Sequence, residues 1–434
     1  MGGRRTGRLR QTIAAAGAVA LVSIAAACSG DPAPNRPSDT TESVPGEVIE
    51  PAEDGQLTVG VLLPLTGPGS EIGTVMNEAV EVARAETEAH GVNGRPVRLV
   101  IVDESTLEGS VPPSLEGIFG EQVDAVIGPA SSLLTARFLP IATDSGVLTC
   151  SPTASALSLD GFPDTGPLFV RTIPSDSMQA KALAMMLDEA GTQVTLAYVN
   201  DAYGGPFVER VRIELEALGV RPATPIPFDP RKSDYESLAT EIAQSGSATI
   251  GIIGDPEAGP RMVQALAEVI DTDSVGSIWM NDAMRVPATA SVYRRLDSKV
   301  LALMHGVSPR STVADGTDSI GSLPEGGRFF GANAYDCMNV IALAADQADV
   351  INGAGMADQI LQVTSGGTSC DSYTDCVAQL DGGRTIDYDG PSGELDLGRN
   401  GDPTLGLFDV YRFDGRGLDI TVERPPVRVD NRNG

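Results

Sequence analysis

Apolar side chains along this chain gather in short, nearly unbroken runs, and between the runs they recur with helical spacing. The run 57-LTVGVLLPL-65 reads as a strand covered on both faces, because a strand with one wet face would alternate apolar and polar positions. The segment 74-TVMNEAVEVARAETEAHG-91 follows as a helix, with Val75, Ala79, Val82, Ala83 and Glu86 along one face and Gly91 closing it. Next come strand 97–103, a helix over 111–120 with prolines near its start, strand 124–128, a helix over 133–146 and strand 147–150. This alternation predicts parallel strand–helix–strand units with right-handed crossovers.

The pattern then restarts. Helix 179–191, strand 194–199, helix 206–219, strand 223–228, helix 234–246, strand 248–254, helix 258–270 and strand 276–281 make a second series. A further helix over 332–348 and a β-rich stretch over 405–415 follow. Each series is about one domain long, so two similar α/β lobes are expected. In open sheets of this kind ligands sit outside the carboxyl ends of the strands. Two facing lobes would line a cleft with 64-PLTGPGSEIG-73, 128-GPASS-132, 151-SPTAS-155, 199-VNDAYGG-205, 254-GDPE-257 and 281-NDA-283.

The chain before residue 57 has another character. Arg4, Arg5, Arg8 and Arg10 stand ahead of the apolar stretch 13-IAAAGAVALVSIAAA-27 and then Cys28, the layout of an export signal. Ala25, Ala26 and Ala27 resemble the cleavage box of bacterial lipoproteins, which makes 1–28 a leader ending in a lipid-bearing Cys28. A plain signal cut after an alanine is the alternative. Residues 29–56, rich in Pro, Ser, Thr and acids, read as a flexible tether. The folded part is therefore expected outside the cell, at the outer face of the cytoplasmic membrane, held there by the lipid alone. No later apolar run is long enough to cross a bilayer.

Charge and cysteine usage narrow the partners. The formal net charge is −29. Binding to a phosphate backbone rests on Lys and Arg, so a nucleic-acid partner is disfavoured, as is broad adhesion to anionic lipid. Cys370 and Cys376 lie close together in the polar loop 366-GGTSCDSYTDC-376 and are expected to form a disulfide, two free thiols being the alternative. Whether Cys150 pairs with Cys337 is left open. The histidines, His90 and His305, stand apart from the cysteine pair, and the acidic run 387–402 lacks the spacing of a calcium loop. No metal and no cofactor are expected.

The cleft loops, together with 92-VNGRPVRLVIVDE-104, 169-FVRTIPSD-176, 334-AYD-336 and 389-DGPSGELDLGRNGDP-403, occur in an order that resembles the branched-chain amino acid (Leu/Ile/Val)-binding proteins of ABC importers. The resemblance covers about residues 57–420. It implies the type I periplasmic-binding fold, two Rossmann-like α/β lobes with parallel sheets joined by a three-strand hinge. The crossings would fall near 171-RTIPSD-176, 306-GVSPRS-311 and 387-DYDGPSG-393. Lobe 1 would then hold 57–175 and 307–388, lobe 2 would hold 176–306 and 389–421, and 422–434 would form a tail. A free amino acid is the implied ligand, captured by lobe closure and delivered to an ABC permease.

The same resemblance carries residue roles. Ser132 and Ser155 match hydroxyls that hold the ligand carboxylate, both expected ahead of helix starts, where unpaired N–H groups favour an anion. Ala154 matches a carbonyl that accepts from the ligand ammonium, and Asp282 an acid set against it. Tyr203 matches an aromatic that closes from the second lobe. Without the resemblance, Ser155 and Asp282 read as ordinary helix caps and Tyr203 as a packed loop residue. Two positions depart from the pattern: Ile72 stands where an aromatic is common, and Asp255 brings an acid toward the cleft. The first leaves one wall of the pocket unassigned, and the second opens the way to a more polar or cationic ligand.

Catalysis is the rival class. The chain has no G-x-S-x-G, H-E-x-x-H or C-x-x-C element, so binding rather than turnover is expected. A sensing or scaffold lipoprotein on the same fold, a binder of a non-amino-acid amide, and a cleft that has lost its ligand are the other readings.

Overall fold

The unbroken apolar runs form two sheets. In the first, β1 (Thr58–Leu63), β2 (Arg98–Asp103), β3 (Ala125–Ile127), β4 (Leu148–Ser151) and β5 (Phe169–Arg171) lie in the order β2-β1-β3-β4-β5, all parallel. In the second, β6 (Val194–Val199), β7 (Ile226–Phe228), β8 (Thr249–Ile253), β9 (Ser277–Met280) and β10 (Met304–Pro309) repeat that winding as β7-β6-β8-β9-β10. A small parallel pair, β11 (Thr368–Cys370) with β12 (Ile386–Tyr388), stands apart. β13 (Leu405–Phe413) then joins β10 antiparallel and carries β14 (Asp419–Thr421) and β15 (Val427–Asp430). This computed structural model describes residues 54–67, 69–104, 118–161, 168–191, 193–285, 289–310, 330–422 and 424–431. The basic leader, Cys28, nearly all of the tether and most of the helix expected over 111–120 lie outside them.

Helices cover the sheets as the alternation requires. They are α1 (Ser70–Thr87), α2 (Ser132–Asp144), α3 (Asp176–Ala190), α4 (Gly204–Ala217), α5 (Glu236–Ala243), α6 (Ala258–Val269) and α7 (Gly331–Gln347). α1 begins before the expected residue 74, and its phase differs from the expected face. Met76, Ala79, Val80, Ala83 and Thr87 are buried, whereas Val75, Val82 and Glu86 are half-buried. The early start brings Gly73 onto the loop after β1, where a Cβ would lie 1.9 Å from the Pro64 carbonyl oxygen. Glu86 sits at the margin because its carboxylate accepts the Tyr335 hydroxyl at 2.6 Å.

α7 is buried from Gly331 through Ala345, as its alanine-rich sequence allows on every side. It packs with β1, β4 and α1 in the first core, to which Leu395 and Leu397 also belong. A disulfide joins Cys150, at the inner end of β4, to Cys337 on α7, and a second joins Cys370 to Cys376. The first fixes the strand that leads directly into 151-SPTAS-155. No helix among the described residues is long and apolar enough to cross a membrane.

Candidate ligand-binding site

Both sheets reverse their winding beside their first strand, between β1 and β3 and between β6 and β8. Loops leaving the carboxyl ends there diverge and leave room for a ligand. In the first sheet this brings α2 against the loop after β4. Ser131 is the residue that caps α2, accepting from Leu134 N, and Ser132 is its first helical residue. Ser132 Oγ accepts from Ala156 N at 3.3 Å, and Thr153 Oγ1 donates to the Ala130 carbonyl at 2.8 Å. The two serine-bearing loops are thus one surface.

Ser155 does not start a helix. The turn that follows is a three-residue 3-10 segment, Leu157–Leu159, with no side-chain cap. Ser155 instead reaches the second lobe. Its carbonyl accepts from Asp176 N at 2.8 Å, and its hydroxyl donates to the Asp176 carboxylate. The helix-start argument for an anion at Ser155 therefore fails, and its hydroxyl and the half-buried loop around it remain. At α2 the argument narrows as well, because the buried Glu104 accepts from Ala130 N at 2.7 Å and Ser131 N at 3.0 Å. Burial holds the Glu104 carboxyl up to about 7. The protein's own acid thus occupies part of the donor set that a ligand anion would use.

Ala154 is buried, and its carbonyl already accepts from Arg171 Nη1 at 3.1 Å. Arg171 is itself fully buried and is held by Asp160 at 2.5 Å and Asp402 at 2.7 Å. A carbonyl has two lone pairs, so Ala154 keeps one acceptor direction. Arg171 is committed to its two carboxylates and to this loop.

The second lobe supplies the acids and the aromatic. In 201-DAYGG-205, Asp201 Oδ1 accepts from Tyr203 N and Gly204 N, which turns the chain into α4. Gly204 is required, since a Cβ would lie 2.1 Å from the Val199 carbonyl oxygen. Tyr203 Oη accepts from Asn281 Nδ2 at 2.8 Å. Asn281 also donates to the Gly254 carbonyl and accepts from Gly254 N, so one amide ties the loops after β6, β8 and β9. Asp255 Oδ1 accepts from Glu257 N and Ala258 N in the turn that leads into α6, so its carboxylate serves that turn.

Asp282 follows Asn281 and is nearly buried. Burial raises its carboxyl, against hydrogen bonds from Gln179 and Ala283 N and the charge of Arg285. Sequence reasoning left Asp176 as a hinge residue, and the structure gives it more. Asp176 opens α3 and is 1 % exposed, and its Oδ2 has no hydrogen-bond partner. Its carboxyl is pushed up to about 8, first by burial and then by the charge of Asp282. A helix N-terminus favours a carboxylate by only about 0.3–1 kcal/mol, so burial wins here. Burial first, and then the charges of both acids, hold the hydroxyl of half-buried Tyr203 in its protonated form. Asp176 thus links Ser155 to Asp282 and Tyr203, while Ser132 and Ala154 join the same first-lobe surface through Ala156 and Arg171. In sequence, Asp176 looks like any first-turn acid; only its approach to Asp282 marks it.

Comparison with known proteins agrees with this fold. A model of the periplasmic binding protein family matches residues 56–308. The chain is 24% identical to the chemotactic signal transduction system substrate-binding protein BasB of Halobacterium salinarum, over 84% of this chain and 88% of that protein. It is 26% identical to the Leu/Ile/Val-binding protein BraC3 of Rhizobium johnstonii, over 47% of this chain and 56% of that one. Its fold matches the branched-chain amino acid transporter substrate binding protein LivJ of Streptococcus pneumoniae, solved with isoleucine, with a TM-score of 0.67 at 18% identity, over 86% of this chain and all of that one. With two lobes of the same winding, the type I periplasmic-binding fold and a family match over most of its folded length, the chain belongs to the periplasmic binding protein family.

Proposed function

We propose that this protein captures a free amino acid outside the cell and hands it to an ABC permease, without chemical turnover. The observation that carries the reading is the meeting of hydroxyls and carboxylates from both lobes at the strand ends. Ser132 offers a donor to a ligand carboxylate and Ser155 a second once its hydroxyl turns from Asp176, while Asp282 and the second lone pair of the Ala154 carbonyl offer acceptors to its ammonium. Tyr203 closes the second-lobe side. The names of BraC3 and of the isoleucine-bound LivJ support a branched-chain or related amino acid. The leader sequence supports export and a lipid on Cys28 that anchors the tethered domain.

Thermal unfolding against a panel of amino acids and small amides tests this. A ligand at 100-fold its Kd adds about 2.7 kcal/mol, a visible rise in midpoint. A panel in which no amino acid raises the midpoint rejects the proposal.

The BasB match favours a second reading, in which the same capture feeds a signal receptor. Uptake of the bound amino acid by cells, lost when the partner permease is deleted, separates import from sensing.

A further inference from the structure

Arg171 ends β5 with none of its surface exposed, and its guanidinium is spread over four acceptors. Nη1 donates to the Ala154 carbonyl at 3.1 Å and to the Ala156 carbonyl at 3.4 Å. Nη2 donates to Asp160 Oδ1 at 2.5 Å, and Nε to Asp402 Oδ1 at 2.7 Å. A buried cation needs a counter-charge, and the two carboxylates supply it. Charge balance does not account for the two carbonyls. Both flank Ser155 in one loop, and a planar fork fixes them at set angles to the carboxylates in a way that a single ammonium cannot.

The carboxylates lead to the places where the chain passes between the two sheets. Asp402 closes a turn that fastens itself, its carbonyl accepting from Gly398 N at 2.8 Å and its Oδ2 from Asn400 Nδ2 at 2.8 Å. The backbone presses the same turn onto β5. Arg171 N donates to the Gly401 carbonyl at 3.0 Å, and a Cβ on Gly401 would lie 1.9 Å from the Phe169 carbonyl oxygen. Soon after Asp402, at Leu405, β13 begins in the second sheet. Asp160 Oδ1 also accepts from Ser175 Oγ at 2.5 Å, and Ser175 caps α3 by accepting from Ser177 N. One guanidinium therefore reaches the loop around Ser155, the start of α3 and the turn that leads into β13.

We infer that Arg171 is a positioning residue for ligand capture. It makes the loop 154–156, the cap of α3 and the turn 398–402 one body, so that a ligand ordering the loop also orders both passages between the lobes. Loosening any one of the three leaves part of a buried guanidinium or carboxylate unpaired, which is costly, and this makes them move together. Arg171 itself touches no ligand atom. The inference rests on the amino-acid reading and adds to it a route from the bound ligand to the lobe connections.

Hydrogen exchange of the purified protein, read by mass spectrometry with and without saturating L-leucine, tests it. Protection should rise together at 153–156 and at 398–404, although the second segment is not among the ligand loops. In Asp402→Asn the rise at 153–156 should persist and the rise at 398–404 should vanish. Arg171→Lys keeps the charge and loses the fork, so a role in charge balance alone would leave leucine affinity intact. The expected result is a loss of about tenfold or more in a chain that still unfolds cooperatively. Should that variant fail to fold, exchange in the unaltered protein decides by itself.

Leucine that protects 153–156 while 398–404 stays unchanged, or Arg171→Lys binding leucine as tightly as the unaltered protein, overturns this inference and leaves ligand capture standing. A chain that binds neither leucine nor any other amino acid of the thermal panel overturns the amino-acid reading and the inference with it.

Discussion

Tyr388 gives its hydroxyl hydrogen to Asp336 Oδ1 at 2.7 Å, in a place neither side chain shares with solvent. Asp336 belongs to α7, and its Oδ2 accepts from Ser392 N at 2.9 Å. One carboxylate therefore fastens β12 and the turn beyond it to the first core. Gly390 fits beneath because it lacks a Cβ, which would lie 1.9 Å from Asp336 Oδ1.

Tyr388→Phe takes a donor from a buried carboxylate and an acceptor from Asn339, which now donates to Tyr388 at 3.0 Å. The expected cost is about 1–3 kcal/mol. It should appear as a lower denaturant midpoint with an unchanged slope. Gly390→Ala should cost more, because a Cβ there would lie 1.9 Å from Asp336 Oδ1 and 2.5 Å from the Tyr388 hydroxyl, and both are held in place by their own buried hydrogen bonds. If Gly390→Ala proves the milder change, the turn is not pinned to α7 as described.

The two disulfides close loops of very different length. Cys150 and Cys337 are 187 residues apart in sequence, and Cys370 and Cys376 only 6. Replacing both members of the long-range pair by Ala should cost about 2–5 kcal/mol, and the short-range pair less, because a longer closed loop restricts the unfolded chain more. Equilibrium unfolding of the two double variants gives the order directly; the reverse order would mean that the short loop holds structure the fold depends on.

Stability should fall as pH rises through neutrality. Burial holds Glu104, Asp124 and Asp336 up to about 7 and Asp176 up to about 8. The unfolded chain releases these protons near pH 4, so the folded state holds more protons between those limits. Their contribution is therefore complete below about pH 4 and lost as pH climbs through 7 to 8. The thermal midpoint of the ligand-free protein should drop by several degrees between about pH 5 and pH 8. Each Asp→Asn or Glu→Gln change at these positions should remove its share of the slope, whatever it does to the level. A midpoint that climbs over this range would contradict the burial of these acids.

Ligand affinity should depend on both lobes. Asp282→Ala and Ser155→Ala are each expected to weaken a bound amino acid by about 2–5 kcal/mol, as when one partner of a buried charged hydrogen bond is cut away. Glu241→Ala, an exposed acid on α5 away from the strand-end loops, should leave affinity where it was. Titration calorimetry reads all three. Equal affinity in all of them would place the ligand elsewhere.

Much of the fold was legible because parallel strands are covered on both faces and so read as unbroken apolar runs. Leu57 through Leu63 is such a run, and all of β1 is buried. Helix phase was harder. α1 starts at Ser70 on account of a close approach between Gly73 and Pro64, which no periodicity reveals. That Ser132, Ser155, Tyr203 and Asp282 lie in or beside loops leaving the carboxyl ends of strands was legible only from an ordered set of loops. Asp176, Glu104 and Asn281 were not marked as site residues, because each is defined by a partner far along the chain: Asp282 and Ser155 for the first, the start of α2 for the second, Tyr203 and Gly254 for the third. A local reading makes them a first-turn acid, a strand-end acid and a loop amide.

Asn281 has a further consequence for selectivity. Because one side chain binds Tyr203 and both backbone groups of Gly254, three loops of the second lobe meet a ligand as one preset surface. Loops that must be ordered on binding cost about 0.5–1.5 kcal/mol for each immobilised side chain, and that cost falls alike on good and poor ligands. Here the ordering is completed when the chain folds. The differences in affinity between one amino acid and another should then report shape and charge almost undiluted, and loosening this amide should blur the protein's choice among ligands more than it lowers its affinity for any one of them.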